Sequence, residues 1–539
     1  MLAVLFLVAT VFFVGAYFTY GKFQTKLYGL HKDNKTPAHL YFDGVDYVPA
    51  HHSVLLGHHF ASIAGAGPIV GPIAAASLFG WLPTYLWCLL GSAFFGGVHD
   101  MGALVSSMRH KGLSVGEVVD KWIGRKGKKL FLTFTWLALV LVVAVFLELS
   151  AATFAADPAV AFSGTLYIAM ALVFGVLIYK KGLPLGVVTI VMLPIVIGAV
   201  FYATNAAWVQ TAFALPKDTW RLILVVYIFL ASVLPVWLLL QPRDYLASFM
   251  LYFSVLLGAI GMIFGSKFVV DVPAFSANWL HPNEGTYIWP MMFVIVACGA
   301  ISGFHALVGS GTTAKQLKNE TDAQMVGYGS MLLEGLVAVI AIGTVMIAGG
   351  NLAGGPTAIY GRGLGQFATL VGIDAKVGTS LGLLALNSFL LTSLDTATRL
   401  ARYQLQEFFD MKLNRYVATI IGVVGAMALL YIKSGDTPAW KLIWPVFGAS
   451  NQLVAALTLL TLAVWVKLGL KKDNRFAMYP FFFMLATTFT ALFFLIKANI
   501  GNYLLMGISV ILLVLAVFLV KEAYNALTGK GPQVPDAAK

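Results

Sequence analysis

Charge is scarce in this chain: 11% of its 539 residues are Asp, Glu, Lys or Arg, while 59% are apolar. A soluble domain carries about a quarter charged residues, so this balance, with a mean hydropathy of +0.85, excludes a soluble globular fold and leaves a membrane protein. Cysteine is nearly absent. Cys88 and Cys298 both lie in apolar runs, which argues against a disulfide framework or a CxxC-type metal site. There is no Walker-type glycine loop, which argues against built-in ATP hydrolysis, and no HExxH pair. The net charge of +12 does not indicate a nucleic-acid partner, because basic residues in a polytopic protein first report loop orientation.

What is abundant is apolar sequence in lengths of about 20 residues, the span of a bilayer core. Such runs predict helices near 1–20, 54–78, 80–107, 130–155, 164–180, 183–206, 219–242, 245–266, 287–311, 326–349, 376–410, 416–433, 439–466, 477–497 and 501–522, an all-α polytopic membrane protein of about 15 transmembrane helices. The N-terminal run lacks a basic leader and a small-residue cleavage site, so it reads as a retained helix. Most of the 35 Lys and Arg fall in alternate loops, densest between 108 and 129. By the positive-inside rule this places the N-terminus outside and the C-terminus in the cytoplasm. The loop "GEVVDKWIGRKGKK" suits a short helix on the membrane surface, and the tail "TGKGPQVPDAAK" reads as disordered.

Several spans carry residues that break helices. Gly65, Ala66, Gly67, Pro68 and Gly71 sit mid-span in "HHFASIAGAGPIVGP". Proline removes a donor and glycine loosens the backbone, so this helix is expected to be discontinuous. Ser232, Pro235 and Pro242 interrupt the seventh span, which runs in the opposite direction. Unwound backbone survives at membrane depth only inside protein or along a cavity. Paired breaks of opposite direction are the pattern of a transporter built from inverted repeats, with the site at the breaks. The expected division is an N-terminal helix and loop over 1–53, a first repeat over 54–206, a second over 219–410 and accessory helices with the tail over 411–539. Gly65, Ala66, Gly67, Pro68, Gly71, Ser232 and Pro235 are the candidate substrate-binding residues. A packing kink is the plainer reading of either break alone.

Ionisable residues within spans are costly and mark functional candidates. His58, His59, His99 and Asp100 are placed to meet between the second and third helices, where they suit hydrogen-bonded pairing, a proton relay or a divalent transition metal. Adjacent histidines on a helix diverge by about 100°, so His58 and His59 cannot both face one site. Glu148 reads as a lone buried carboxyl and a proton carrier. His305, Thr312, Thr313 and Glu334 complete the candidates for ion coupling, by a proton or by sodium. Asp395 and Arg399, at i and i+4, are expected to pair with each other.

The strings "TPAHLYFDGVDYVP", "GHHFASIAGAGPIVGPIAA", "GGVHDMGALVSSMRHKGLSVGEV" and "SVLPVWLLLQPRDYLASF" resemble the carbon starvation (CstA) family of bacterial transporters from about residue 30 to 470. The resemblance implies a cytoplasmic-membrane protein linked to nutrient starvation that imports peptides or pyruvate, by proton symport. It also implies kinship with the amino acid/polyamine/cation superfamily and its LeuT-like five-plus-five core. No tightly bound cofactor is expected, and the partners are a small-molecule substrate, a coupling ion and the lipid bilayer. An intramembrane metalloenzyme built on the His58, His59 and His99 group, or a channel, are the rival classes.

Overall fold

The computed structural model describes residues 1–43, 47–235, 238–276, 287–430 and 439–529; the tail expected to be disordered lies mostly outside them. The first helix, α1, is Leu2–Tyr28. Then come α2 (His52–Ile63), α3 (Gly67–Phe79), α4 (Trp81–Arg109), α5 (Arg125–Ala156), α6 (Pro158–Ile178) and α7 (Leu185–Asn205). They are followed by α8 (Lys217–Val233), α9 (Leu240–Phe264), α10 (Ile288–Val296), α11 (Gly303–Gly311) and α12 (Gln324–Met346). The chain ends with α13 (Gly355–Ala368), α14 (Ala375–Phe408), α15 (Arg415–Leu430), α16 (Ala439–Leu468), α17 (Arg475–Ala498) and α18 (Tyr503–Leu527).

Among the described residues twelve helices are long and apolar enough to cross a membrane, or thirteen with α2 and α3 counted as one bent span. The shorter α8 and α15, of 17 and 16 residues, fill the two remaining expected positions near the lower length limit for a span. Local chemistry sets many ends. Asp157 and Asp374 accept bonds from the first free N–H groups of α6 and α14, at 2.9 Å to Ala159 and to Lys376, as helix-capping carboxylates do.

Burial separates core from rim. The most apolar stretch of α16 is fully enclosed and those of α10–α11 and α14 are 94% buried, whereas in α1 and α18 only 28% is. The uncovered side chains of the outer helices are large and apolar, such as Val11, Ile190 and Val514. Lipid therefore covers the rim, and the two longest helices, α5 and α14, pack along each other at the centre. Against both lies α8, which also touches α15, while α9 lies against α14 and also packs on α2.

The seventh span departs from its expected course. Instead of running over 219–242, helix α8 stops at Val233, because Leu234 before Pro235 is driven to an extended conformation (φ −69°, ψ 154°). The helix resumes at Leu240 as α9, with Pro242 in its first turn, where a missing N–H costs nothing. The ninth span, expected to be unbroken over 287–311, is split into α10 and α11.

Candidate functional site

The break expected in the second span is present. The chain leaves helical geometry at Ala64 (ψ 60°) and re-enters at Gly67, with a 41° bend between the two halves. The second break is in the ninth span. Ala297 adopts a positive φ of 51°, Ala300 leaves the helix, and extended Ser302 starts α11. A non-glycine residue at positive φ stores strain that the surrounding packing must hold.

The two breaks meet. A Cβ on Gly67 would stand 2.5 Å from Cys298 Cβ and Sγ, and one on Gly71 only 2.2 Å from the Val296 carbonyl oxygen. At Gly71 glycine is required because backbone passes backbone, and at Gly67 because the Cys298 side chain fills the space. Further along, His59 Nδ1 lies 2.8 Å from Thr313 Oγ1, and Ala50 bridges Leu317. The spans α2–α3 and α10–α11 thus run antiparallel with their interruptions at one level.

A small cavity sits at this level. It is walled by Ile63 and Gly65 of the first break, Val142 and Phe146 of α5, Cys298 and Phe304 of the second break, Ser393 of α14 and Phe447 of α16, and it holds about 10 Å³ of free space, about one water. The lining is apolar except for Cys298 and Ser393.

Directly after the second break, α11 presents His305. Its Nδ1 is 2.7 Å from Asp100 Oδ2 and its Nε2 is 3.2 Å from Glu334 Oε2. Asp100 Oδ1 lies 2.7 Å from His99 Nδ1. All four side chains are essentially sealed from solvent. In such surroundings the cluster's total charge is what matters, since an unbalanced charge away from water is expensive. An imidazolium between two carboxylates leaves one net negative charge, and one further proton on Glu334 removes it. This group can take up and release a proton at a position tied to the break.

The four residues proposed to gather as a relay or metal site divide instead. Asp100 and His99 join His305, His59 turns to Thr313, and His58 points toward Asp244 at 3.9 Å. The 100° divergence of adjacent helical positions separates the two histidines. Among the described residues no group of three or more His, Cys, Asp or Glu is arranged to hold a metal ion. The Thr312 hydroxyl bonds back to Val308 at 3.0 Å, a helix-exit contact.

Glu148 is buried but not alone, contrary to expectation. Lys217 lies 2.7 Å away and Arg221 2.6 Å away, both from the start of α8. The long basic side chains reach inward from the membrane edge, and that reach is invisible in the sequence of α5.

Ser232 and Pro235 also sit elsewhere. Pro235 is exposed, and the carbonyls freed by the end of α8 are occupied: Arg399 donates to Ala231 and Leu234 at 2.7 Å and Arg402 to Ser232 at 2.6 Å. Arginine at a helix C-terminus satisfies both the orphan carbonyls and the helix dipole. Asp395 accordingly does not pair with Arg399. It accepts from Tyr227 at 2.6 Å and from Arg243, and both ends of that ion pair are fully buried.

Removing one member of a buried pair strands the other, at a cost of about 3–5 kcal/mol. Asp395→Leu should lower unfolding stability in detergent by about that amount, and the Arg243→Leu/Asp395→Leu double variant by less than the sum of the single losses. Additive losses in an SDS-unfolding titration would contradict the pairing.

The family model described as "Carbon starvation protein CstA" matches residues 1–353 and 348–491. The chain belongs to the CstA family. Among its CstA-family relatives, the Bacillus subtilis protein named peptide transporter CstA is 36% identical, over 83% of this chain and 82% of its own length. The Campylobacter jejuni peptide transporter CstA is 31% identical, over 89% and 78%. The Escherichia coli pyruvate/proton symporter BtsT is 31% identical, over 80% and 73%.

Sequence reasoning missed the second break because "VACGAISG" contains no proline and its glycines resemble any small-residue packing seam. The available signal was Gly299 and Gly303 flanking Ser302, three residues before a histidine, inside an otherwise apolar run.

Proposed function

We propose that this chain is a secondary active transporter of the cytoplasmic membrane that imports a small carboxylate-bearing solute, a short peptide or pyruvate, together with protons. One observation carries the reading: two antiparallel spans interrupted at the same level, with an acid–imidazole–acid chain hung directly on the second interruption. The names of the relatives favour the same class. Solute binds between the breaks, where the freed N–H groups at the start of α3 and the positive dipole end of that helix favour an anionic group. Asp100, His305 and Glu334 carry the coupling proton. Thr312 and Thr313 are already engaged, which favours a proton over sodium.

The repeat boundaries follow the breaks and not the expected 206/219 division. The first repeat comprises α2–α3, α4, α5, α8 and α9, and the second α10–α11, α12, α14, α15 and α16. The α6–α7 hairpin is an insertion. In support, the long helices α5 and α14 each become third in their repeat and α8 and α15, the two shortest spans, each fourth. The basic loops favour an N-terminus outside and a C-terminus inside.

The test is uptake by proteoliposomes given labelled pyruvate and dialanine, with and without an imposed pH step and with sodium exchanged for potassium. Accumulation of either solute above equilibrium, driven by acid outside and indifferent to sodium, is expected. Downhill flux without accumulation would indicate a channel, and hydrolysis without accumulation an enzyme.

A further inference from the structure

The acid–imidazole group at the second break has one open end. His99 Nδ1 lies 2.7 Å from Asp100 Oδ1, so Nδ1 carries the ring hydrogen and the lone pair is on Nε2. That Nε2 is buried and meets no protein partner among the described residues. Leaving a buried acceptor open costs about 1–3 kcal/mol, and folded proteins match such groups with protein or with ordered water.

Two neighbouring helices bring polar atoms of the same kind to the same level. The Tyr28 hydroxyl of α1 stands 3.0 Å from where a Gly102 Cβ would be, and the Leu462 side chain of α16 closes the same space, so α1, α4 and α16 meet at Gly102. The three run in one direction there. Gly21 and Gly97 both meet the Tyr328 ring before α1 reaches Tyr28 and α4 reaches Gly102, and Tyr28 and His110 both pack on Trp465, further along α16. One turn before the meeting point lie His99 on α4, Gln24 on α1 and Thr458 on α16, each three or four residues from its contact residue and so on the same helix face. All three are buried. Neither amide atom of Gln24, nor the hydroxyl of Thr458 or of Tyr28, has a protein partner among the described residues. A junction this polar holds water, whereas an apolar one stays dry.

The row leads to the surface. The next carbonyl after Tyr28, that of Gly29, accepts from the exposed Arg109 at 3.1 Å, at the end of α4 that carries the basic loop. It also leads away from the breaks, because His99 and Asp100 diverge by about 100° on their helix and Asp100 is the one turned to His305.

Resting on the proton-coupled reading, we propose that His99 is the port through which the Asp100–His305–Glu334 group exchanges its proton with the cytoplasm, by way of water held among Gln24, Tyr28 and Thr458. In release, Asp100 passes its proton from Oδ1 to Nδ1 while Nε2–H gives one to the water. One proton leaves, and the neutral imidazole keeps its hydrogen on Nδ1; uptake is the reverse. The titratable groups around His99 are Asp100 on its own helix and Tyr28 from α1, with His305 of α11 and Glu334 of α12 behind Asp100 and His59 of α2 beyond Gly309. The α16 residues of the row, Thr458 and Leu462, do not titrate. Proton and solute thus leave by separate ways.

The experiment compares the initial rate of uptake driven by acid outside with exchange at equal pH, in proteoliposomes of the full-length protein given labelled pyruvate and labelled dialanine. His99→Asn keeps an N–H toward Asp100 and removes Nε2, and Tyr28→Phe keeps the ring on Trp465 and removes the hydroxyl. In both, acid-driven uptake should fall about tenfold relative to exchange. A positioned proton donor contributes about a hundredfold or more, of which slower conformational steps hide part. The final accumulation ratio should match that of the unmodified protein, since a relay sets rate and not stoichiometry. A merely structural role would lower uptake and exchange together, and that result, or an unchanged ratio in His99→Asn, overturns the port. An unchanged ratio in Tyr28→Phe alone overturns the water route past that hydroxyl. Folded unmodified protein that shows no acid-driven uptake overturns the proton-coupled reading, and the port with it.

Discussion

Gly67→Leu is expected to reduce solute uptake to background while leaving the protein folded in the membrane. The position faces Cys298 so closely that even a Cβ would lie 2.5 Å from its Cβ and Sγ, well inside any ordinary contact. A leucine must either push the second break away or occupy the cavity, which has about 10 Å³ to spare. Both disturb the apposition of the two unwound segments between which solute is proposed to bind. Gly71→Ala offers an independent check, because its methyl would meet the Val296 carbonyl at 2.2 Å. That neighbour is backbone and cannot rotate aside. Gly186→Ala is the matched control: nothing lies within 4 Å of its Cβ position, so uptake should match the unmodified protein. Size-exclusion profiles in detergent separate misfolding from a blocked site. Unimpaired uptake by Gly67→Leu would show that solute does not pass between the breaks.

The spans were legible in the sequence because the bilayer imposes length and hydropathy on each one separately. The first break was legible for a related reason: Gly65, Gly67 and Pro68 disrupt a helix through their own covalent structure, whatever packs against them. The second break was not. Nothing intrinsic to Ala297 or Ala300 unwinds a helix; their conformation is held by Gln452, Trp444 and Asn451, side chains of α16 about 150 positions away. The proline-marked gap at Leu234–Pro235 was correspondingly over-read. A proline reports that a helix ends and not what the ending is for, and here Arg399 and Arg402 use the exposed carbonyls to join α14 to α8.

Ionisable residues followed the same division. Burial of Glu148, His305 and Glu334 could be inferred from their apolar neighbours in sequence, but their partners come from other helices. Glu148 has two cations from α8 and is held as a structural anchor. Glu334 has the His305 imidazole at 3.2 Å, and neither of its oxygens accepts a hydrogen bond. Of these two buried carboxylates, Glu334 is therefore the one proposed to change charge during transport.

Glu334→Gln should abolish pH-driven accumulation while sparing exchange. Glutamine keeps the size of the side chain but fixes it in an uncharged state, so the cluster can no longer alternate between one net negative charge and none. One pH unit is worth about 1.4 kcal/mol per proton, or about tenfold in solute concentration when one proton accompanies each solute. The unmodified protein, given acid outside by one unit, should approach that ratio, and the variant should level at equal concentrations on both sides. Counterflow at equal pH should persist, since the Gly65–Gly67 turn and Ser393 are untouched. Asp100→Asn is the less informative change, because it also disturbs two buried hydrogen bonds, to His99 and His305, and its phenotype mixes coupling with stability. The decisive comparison is accumulation against counterflow in one preparation of Glu334→Gln. If the variant still concentrates solute under an acid-outside gradient, the proton travels by another route and the cluster is only a buried link between α4, α11 and α12.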